Sequence, residues 1–570
     1  MKRTETLQYI RNNPNLSVLI LGGGVNGIGV LRDLALQGVD VLLVDRADFS
    51  SGTSAASSRM VHGGLRYLEN GEFRLVRESV QERNWILEHA PHAVHPQPTA
   101  IPIFHWFAGL LNAPLNFLNL LNRPSERGAI ITKIGLSIYD FYTGTRKTVP
   151  RHKLLTRAEA LKRFPDINPT IVSAATYFDA QMAFAERICI EMILDAEEIY
   201  PQAHALNYVA PIEYQDGGVL LSDSLTGENL LVHPKIVVNA AGPWIDNVNA
   251  TLGQATTFIG GTKGSHIVVN NAKLFDALGG YLIFFENADG RFVMMCRLGE
   301  RVLVGSTDAY CDQPDQTICT PEEEQYFLKM IQRIFPDISV KPEEIVFRFS
   351  GVRPLPTARV KLTGQITRNH RIEVLKPSNE RPYPVLSLVG GKWTTFRAFA
   401  EEVTDQILES IGQKRLVDSR TYSIGGGKGY PRTQKENWIS DLHQQTGIDK
   451  DILTMWFDRY GTRTAILAQF ASEQEDERPL FSLPQYTRYE IVFILQNEKV
   501  IHLDDFLLRR SLVAMEGKIT YKLVQELSYI FMAELCWTEE ERITETDRLA
   551  SLLMDKYQVN CLNDNILLPS

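Results

Sequence analysis

The stretch Leu16-Ser-Val-Leu-Ile-Leu-Gly-Gly-Gly-Val-Asn-Gly27 decides the fold of this 570-residue chain. Its apolar first half predicts a short buried strand, and its second half predicts a glycine turn that opens a helix ending near Gln37. The segment from Val39 to Val44 predicts a second apolar strand, which ends at Asp45. Strand, turn, helix and strand in this order are typical of a βαβ unit in a parallel sheet.

Gly22, Gly24 and Gly27 have the spacing of a dinucleotide-binding turn. Glycine allows the backbone to approach a pyrophosphate, and the free amides and dipole at a helix N-terminus favour the anion. Asp45 stands where a carboxylate accepts hydrogen bonds from ribose hydroxyls. The unit therefore predicts a dinucleotide cofactor.

Three features favour FAD over NAD, which binds to the same kind of turn. The turn lies at the extreme N-terminus of a long domain, and Ser50-Ser-Gly-Thr-Ser54 supplies small hydroxyl residues soon after Asp45. A second strand-to-glycine turn runs from Val237 to Trp244. Together with Gly390-Gly-Lys392 it would close over a long, extended cofactor, so we expect FAD.

Length and composition limit the number of domains and the partners. A chain of 570 residues exceeds a single hydrophobic core, so we expect two or three domains. The 59 basic and 68 acidic residues give a net charge of −9, which argues against broad nucleic-acid binding. The six cysteines include no C-x-x-C pair, so we predict no metal site and no redox disulfide.

The order of the patterns predicts an α/β (α+β) fold in three parts. A discontinuous Rossmann-like FAD-binding domain is expected from residues 1–95, 160–250 and 345–424. An inserted antiparallel β-sheet substrate domain is expected from residues 96–159 and 251–344. Residues 425–570 show mostly helical patterns and predict an α-helical C-terminal domain.

Further blocks of sequence carry a family resemblance. They are Gly22 to Gly29, Gly52 to Ser54, His62-Gly-Gly-Leu-Arg-Tyr-Leu-Glu69, Lys263 to Val269, Gly305 to Asp308, Ser350-Gly-Val-Arg-Pro-Leu355, Gly390 to Lys392 and Asp504 to Arg510. In these blocks the chain resembles the FAD-dependent, quinone-linked glycerol-3-phosphate dehydrogenases of aerobic type. The resemblance covers nearly the whole chain, and the His62 and Ser350 blocks are specific to that family and its oxidase relatives.

The resemblance implies oxidation of sn-glycerol 3-phosphate to dihydroxyacetone phosphate by hydride transfer to N5 of FAD, with a membrane quinone as electron acceptor. It implies His62 as the base or hydroxyl anchor, with His266 as its nearest competitor, and Arg353 as the group that stabilises charge on the substrate oxygen. Arginine forks suit a phosphate dianion. The substrate contacts that the resemblance implies are Arg66, Tyr67, Arg353, Arg368 and Lys392.

The resemblance also implies which residues bind the flavin nucleotide. We expect these contacts at Gly22, Gly24, Asn26, Gly27, Asp45, Arg46, Thr53, Ser54, Ser58, Ala241, Gly242, Asp308, Gly390, Gly391, Lys392, Trp393 and Thr394. Lys392 can also approach the flavin pyrimidine edge, where a positive charge would stabilise anionic reduced flavin.

An apolar insertion at residues 101–121 contains no Asp, Glu, Lys or Arg. Asparagines recur opposite leucines, which predicts an interrupted amphipathic helix that lies in a membrane interface with Arg123 and Arg127 near the headgroups. The alternative is a buried helix or a subunit contact, as in a possible homodimer. The polar N-terminus has no signal-peptide core. We therefore expect a cytoplasmic protein, peripheral on the inner face of the cell membrane.

Three other functions fit part of the sequence. An oxidase of the same substrate would pass its electrons to oxygen and produce hydrogen peroxide. An amine or amino-acid oxidase would need one carboxylate-binding arginine rather than a cluster of cations. A flavin-binding module without catalysis would not need His62, Arg66 and Arg353. The apolar insertion favours the quinone acceptor.

Overall fold

The computed structural model describes residues 2–64, 72–108, 128–143, 149–287, 292–357, 366–474 and 478–561. Its strands are, in chain order, β1 (Asn15–Leu21), β2 (Val41–Val44), β3 (Met60–Val61), β4 (His95–Ile103), β5 (Lys153–Thr156), β6 (Ser173–Gln181), β7 (Ala203–Leu206), β8 (Val209–Gln215), β9 (Gly218–Asp223), β10 (Asn229–Asn239), β11 (Thr262–Val269), β12 (Leu282–Glu286), β13 (Phe292–Leu298), β14 (Arg301–Gly305), β15 (Ala309–Tyr310), β16 (Ile345–Arg353), β17 (Arg371–Leu375) and β18 (Val385–Val389).

The α-helices of these residues are interspersed among the strands up to residue 410 and then follow one another without strands. They are α1 (Arg3–Asn12), α2 (Val25–Leu36), α3 (Phe73–His89), α4 (Ala129–Thr143), α5 (Arg157–Arg163), α6 (Ala185–Ile199), α7 (Ile245–Thr251), α8 (Ala272–Ala277), α9 (Pro321–Ile334), α10 (Phe396–Ser410), α11 (Lys435–Thr446), α12 (Lys450–Tyr460), α13 (Thr464–Ser472), α14 (Arg488–Asn497), α15 (Leu503–Asp505), α16 (Tyr521–Leu535) and α17 (Glu539–Leu552).

The βαβ unit lies at the centre of the smaller sheet, whose order is β17-β18-β10-β1-β2-β7. The five strands from β18 to β7 pair in parallel. Val18 and Ile20 of β1 pack towards α2, α6 and α10, whereas Leu19 and Leu21 pack towards α1 and β9. Because both faces are covered, the strand is a continuous apolar run rather than an alternating one.

The larger sheet has the order β15-β11-β14-β13-β12-β4-β6-β3, with β16 paired to β11 and β5 paired to β6. Its pairs are antiparallel except β4 with β12. Strands β3, β6 and β16 belong to this sheet, although they lie in segments predicted for the FAD-binding domain. The predicted domain boundaries stay a prediction.

The C-terminal helices pack against the larger sheet and are joined to the smaller one by buried ion pairs. Their core includes Phe347 and Phe349 of β16. Arg187 of α6 donates to Glu498, and Asp48, which lies just beyond β2, pairs with Arg509 and Arg510. These two mixed sheets and a helical C-terminal part confirm the predicted fold class.

The apolar insertion does not begin as a helix. Residues 101–103 are the end of β4 and pair with β6, so the predicted helix is wrong at its start. Residues 109–127 lie outside the described residues. Within the described part, no helix combines the length and the apolar character needed to cross a bilayer.

Replacing Glu498 tests the buried link between α6 and the C-terminal helices. Glu498→Gln leaves the Arg187 guanidinium buried without its carboxylate, and we expect the free energy of unfolding to fall by about 3–5 kcal/mol. Urea unfolding of the full chain measures it. The control is Asp418→Asn, which breaks the exposed pair with Arg420 and should cost about 0–1 kcal/mol. Equal losses in the two variants would contradict the assignment.

Candidate active site

The glycine turn approaches neighbouring backbone so closely that larger residues are excluded from it. A Cβ on Gly22 would lie 2.5 Å from the Ala240 carbonyl oxygen at the end of β10, and Gly22 has a φ of +117°. A Cβ on Gly27 would lie 2.0 Å from the carbonyl oxygen of Gly22. The turn therefore keeps α2 close to the ends of β1 and β10.

The start of α2 has polar groups suited to a ligand. Gly24 is its N-cap, and the Val25 amide donates to Ser54 Oγ at 2.9 Å. The other backbone N–H groups in the first turn of an α-helix have no acceptor within the helix, so they can donate to a ligand. Asn26 Oδ1 is buried and has no hydrogen-bond partner among the described residues.

A cavity of about 620 Å³ adjoins this helix start. That volume lies within the usual range of ligand pockets, roughly 300–1,000 Å³. Predicted cofactor residues on its wall are Gly22, Gly24, Asn26, Asp45, Arg46, Thr53, Ser54, Ala241, Gly242, Gly390, Gly391, Lys392 and Trp393. Gly27, Ser58, Asp308 and Thr394 are not on that wall. The glycine cradle, the orphaned Asn26 oxygen and the acid at Asp45 fit an extended dinucleotide.

Asp45 is held at the end of β2 by backbone amides. Its Oδ2 accepts from the Gly23 amide at 2.6 Å, and its Oδ1 accepts from the Ala47 amide at 2.9 Å. Burial outweighs these bonds and raises the pKa of Asp45 to about 6. Hydroxyl donors from a ribose would stabilise the carboxylate at this position.

His62 follows β3 and is tied to the segment after Lys392. The His62 amide donates to Thr394 Oγ1 at 3.3 Å, and that hydroxyl lies 3.2 Å from the His62 carbonyl oxygen. Burial, together with the positive charges of Lys392 and Arg368, lowers the pKa of His62 to about 3. The imidazole is therefore neutral at neutral pH, and an anion bound beside Lys392 and Arg368 would raise its basicity.

A buried cluster holds the backbone next to His62. The Gly63 amide lies 2.9 Å from Tyr139 Oη and 3.1 Å from Asp179 Oδ1, and Arg83 donates to the same two oxygens. These side chains come from α4, β6 and α3. Sequence reasoning missed them because no local pattern joins three residues so far apart in the chain.

Three of the predicted substrate-binding residues contact polar side chains of the protein. Arg353 and Arg368 approach the Asp308 carboxylate, and Lys392 contacts the Ser79 hydroxyl. Arg353, at the end of β16, donates to Asp308 Oδ1 at 3.3 Å, and Arg368 Nη2 lies 4.0 Å from Asp308 Oδ2. Lys392 donates to Ser79 Oγ at 2.6 Å, and burial lowers the pKa of Lys392 to about 7. The structure therefore brings Lys392 and Arg368 near His62, and Arg353 shares Asp308 with Arg368. Arg66 and Tyr67 lie outside the described residues.

His266, the competing histidine, is more enclosed by protein. Its ring stacks on Phe349 with centroids 4.8 Å apart, and its Nε2 lies 2.8 Å from Ser58 Oγ. A Cβ on Gly305 would lie 2.0 Å from the His266 ring. Burial, reinforced by Arg353 and Arg59, lowers the pKa of His266 to about 3. It is neutral as well, but its Nε2 is already engaged by Ser58, so His62 remains the candidate base.

Comparison with known proteins gives two family matches along the chain. Residues 17–405 match the sequence model of a family described as FAD dependent oxidoreductase. Residues 417–542 match one described as the C-terminal domain of alpha-glycerophosphate oxidase.

Two curated relatives match over almost their whole length. A glycerol-3-phosphate dehydrogenase from Synechocystis sp. is 32% identical over 98% of this chain and 100% of that protein. An aerobic glycerol-3-phosphate dehydrogenase from Staphylococcus aureus is 29% identical over 93% of this chain and 91% of that protein. A crystal structure of the glycerol-3-phosphate dehydrogenase from Bacillus halodurans complexed with FAD has a TM-score of 0.75. It is 22% identical over 100% of this chain and 99% of that one, which shows a shared fold.

Adding one methyl group at the turn tests its role in cofactor binding. Gly27→Ala places a Cβ against the Gly22 carbonyl, so α2 must move away from β1, and we expect at least a tenfold loss of FAD affinity. Fluorescence of FAD released from the purified protein measures the affinity. The control, Gly412→Ala, adds a methyl group where no atom lies within 4 Å, and it should retain FAD. Normal FAD retention by Gly27→Ala would contradict the prediction.

Proposed function

Because this chain belongs to the FAD dependent oxidoreductase family, we propose that it oxidises sn-glycerol 3-phosphate to dihydroxyacetone phosphate and passes the electrons to a membrane quinone. Family membership confirms the predicted family and the predicted FAD cofactor. The relatives' names and the match of residues 417–542 support the substrate. The proposal of a quinone as electron acceptor is supported by a different observation, an exposed apolar surface that is described below.

The observation that carries the substrate assignment is the group of cations beside His62. Lys392 and Arg368 act on His62, Arg353 and Arg368 share Asp308, and Lys392 also lines the cavity. A phosphate dianion needs several cationic donors to replace its water, and arginine forks suit its oxygens. Arg66 and Tyr67 are proposed to complete this group.

The residues have separate tasks in the proposed reaction. FAD, when bound, would accept the two electrons that leave the carbinol carbon of the substrate. His62 accepts the hydroxyl proton, because the bound phosphate dianion offsets the charges of Lys392 and Arg368 and so raises the basicity of the neutral imidazole. Arg353 stabilises the negative charge that develops on the substrate oxygen, and Asp308 orients Arg353 for that contact.

Anaerobic addition of sn-glycerol 3-phosphate to the purified holoenzyme tests the proposal. We expect the flavin absorbance to bleach, with dihydroxyacetone phosphate formed in equal amount. Arg353→Met should slow bleaching about 100-fold or more, as removal of one oxyanion donor does. Arg301→Met, at a residue that bonds the Glu516 backbone, is the matched control and should bleach normally. No bleaching of the unaltered enzyme would refute the substrate.

The pH dependence should report Lys392. With a pKa of about 7, Lys392 is charged below neutral pH and neutral above it, whereas the substrate phosphate is a dianion above about pH 7. We therefore expect kcat/KM to fall as the pH rises from 7 to 9. Lys392→Arg stays charged and should lose this decline. The same decline in both enzymes would assign it to another group.

An apolar stripe supports contact with the lipid in which quinones are dissolved. On α4, Ile130, Ile134 and Phe141 are exposed, with Phe141 at 80%, and they share one helix face. Phe107, on the other side of the 109–127 segment, is 71% exposed. Exposed apolar groups on both flanks favour an interface with lipid, and they support the proposed peripheral location on the inner face of the cell membrane.

Charge on this stripe should weaken membrane binding. The double variant Ile134→Glu/Phe141→Glu places two charged side chains where apolar ones would enter the membrane–water interface. We expect it to associate with vesicles of bacterial lipid at least tenfold more weakly than the original chain. Co-sedimentation measures the association. The control is Phe481→Glu, at an exposed phenylalanine of the C-terminal part. Equal vesicle binding by the original chain, the double variant and the Phe481→Glu control would contradict a lipid contact at this stripe.

The second candidate function is a glycerol-3-phosphate oxidase, because the family matching residues 417–542 is named after such an enzyme. The two functions differ in what reoxidises reduced FAD. Stopped-flow mixing of reduced enzyme with a soluble quinone or with dissolved oxygen separates them. Faster reoxidation by quinone and little hydrogen peroxide are expected. Stoichiometric peroxide would select the oxidase.

A further inference from the structure

The C-terminal helices form part of the wall of the FAD cavity. Arg509, Arg548, Lys556 and Tyr557 all line it, together with Asp45 and residues of the glycine turn. Their segment lies beyond residue 424, outside the predicted FAD-binding segments. The C-terminal part therefore contacts the same cavity as the βαβ unit.

The turn that carries Lys556 is fixed on two sides. The Tyr557 ring stacks on Phe347 of β16, with centroids 4.9 Å apart and an interplanar angle of 15°. The Gln558 side-chain amide donates to the Cys319 carbonyl oxygen at 2.9 Å. Lys556 is thus presented to the cavity from a rigid position.

The carboxylates on the cavity wall already have cationic partners, with one exception. Asp48 pairs with Arg509 and Arg510, Asp504 with Arg509 and Arg548, Asp315 with Arg46, and Glu186 with Arg59. The exception is Asp45, whose oxygens accept from the Gly23 and Ala47 amides. The carboxylates in these ion pairs are paired with arginines, so none of them forms an ion pair with Lys556.

Lys556 makes no ion pair or hydrogen bond with the described residues, and its ammonium lies 5.9 Å from the neighbouring Tyr557 ring. Burial, with Arg509 adding to it, lowers the pKa of Lys556. Arg46 and Asp315 are also among the charges that act on Lys556. Arg46 directly follows the proposed ribose acid, so Lys556 belongs to the adenosine end of the cavity. An anion bound there would stabilise its charged form.

We propose that Lys556 of the C-terminal part binds the adenosine diphosphate half of FAD, so that this part of the chain helps to retain the cofactor. The inference rests on the FAD family and not on the proposed substrate. A lysine suits this position because its compact ammonium can bond phosphate or ribose oxygens. The helical part thereby gains a role in binding as well as in packing.

Removal of the charge at Lys556 tests this contact in the full-length chain. Lys556→Met keeps most of the side-chain length, and we expect its dissociation constant for FAD to rise about tenfold, as for loss of one charge-assisted hydrogen bond. Lys556→Arg keeps the charge and should retain most of the affinity. The control Lys428→Met replaces an exposed lysine outside the cavity wall and should bind FAD normally.

Two further measurements separate a binding role from a structural one. Thermal unfolding of the FAD-free chain should not move to a lower temperature in Lys556→Met, because an unmatched, partly buried charge does not stabilise the fold. ADP, which lacks the flavin, should compete with FAD about tenfold less well for Lys556→Met than for the original chain. Unchanged FAD affinity in Lys556→Met would overturn the proposal. So would weaker FAD binding with normal ADP binding, because the contact would then lie elsewhere.

Discussion

The close approach of Gly22 and Gly27 to the ends of β1 and β10 is the constraint on which the rest of the site depends. With a Cβ at Gly27 only 2.0 Å from the Gly22 carbonyl oxygen, any larger residue would move α2 away from the sheet. The helix start would then no longer face the cavity, and its amides would lose their position beside Asp45. The other predicted cofactor residues reach this cavity from β10, β18 and the segment after β2, so their placement depends on the same packing.

Positive charge is concentrated around His62 and Asp308. Arg353 and Arg368 are partly exposed, and the pKa values of His62 and Lys392 fall through burial and the neighbouring cations. A protein interior does not tolerate such a concentration of cations without compensation. Asp308 compensates part of it, and a phosphate dianion would compensate more. The same charges suit the proposed anionic substrate and keep His62 neutral.

The C-terminal part is bound into this arrangement by ion pairs rather than by apolar packing alone. Arg509 and Arg510 reach Asp48, which is three residues beyond Asp45. The position of the loop after β2 and the position of the helical part are therefore coupled. This coupling explains how a segment so far along the chain comes to border the cofactor cavity, and why Lys556 is presented there.

The sequence by itself determined the βαβ unit, the dinucleotide turn and the cofactor class, because these depend on glycine spacing and apolar runs that are local in the chain. Its family resemblance also indicated His62, Arg353, Arg368 and Lys392. The fold brings His62, Arg368 and Lys392 together and links Arg353 to Arg368 through Asp308. Only the tertiary structure decided that β3, β6 and β16 join the larger sheet, and that Tyr139, Asp179 and Arg83 hold Gly63. It also decided that Lys556 reaches the cavity. The physical reason is that strand pairing, buried hydrogen bonds and charge balance join residues hundreds of positions apart, and no local pattern records which of them meet.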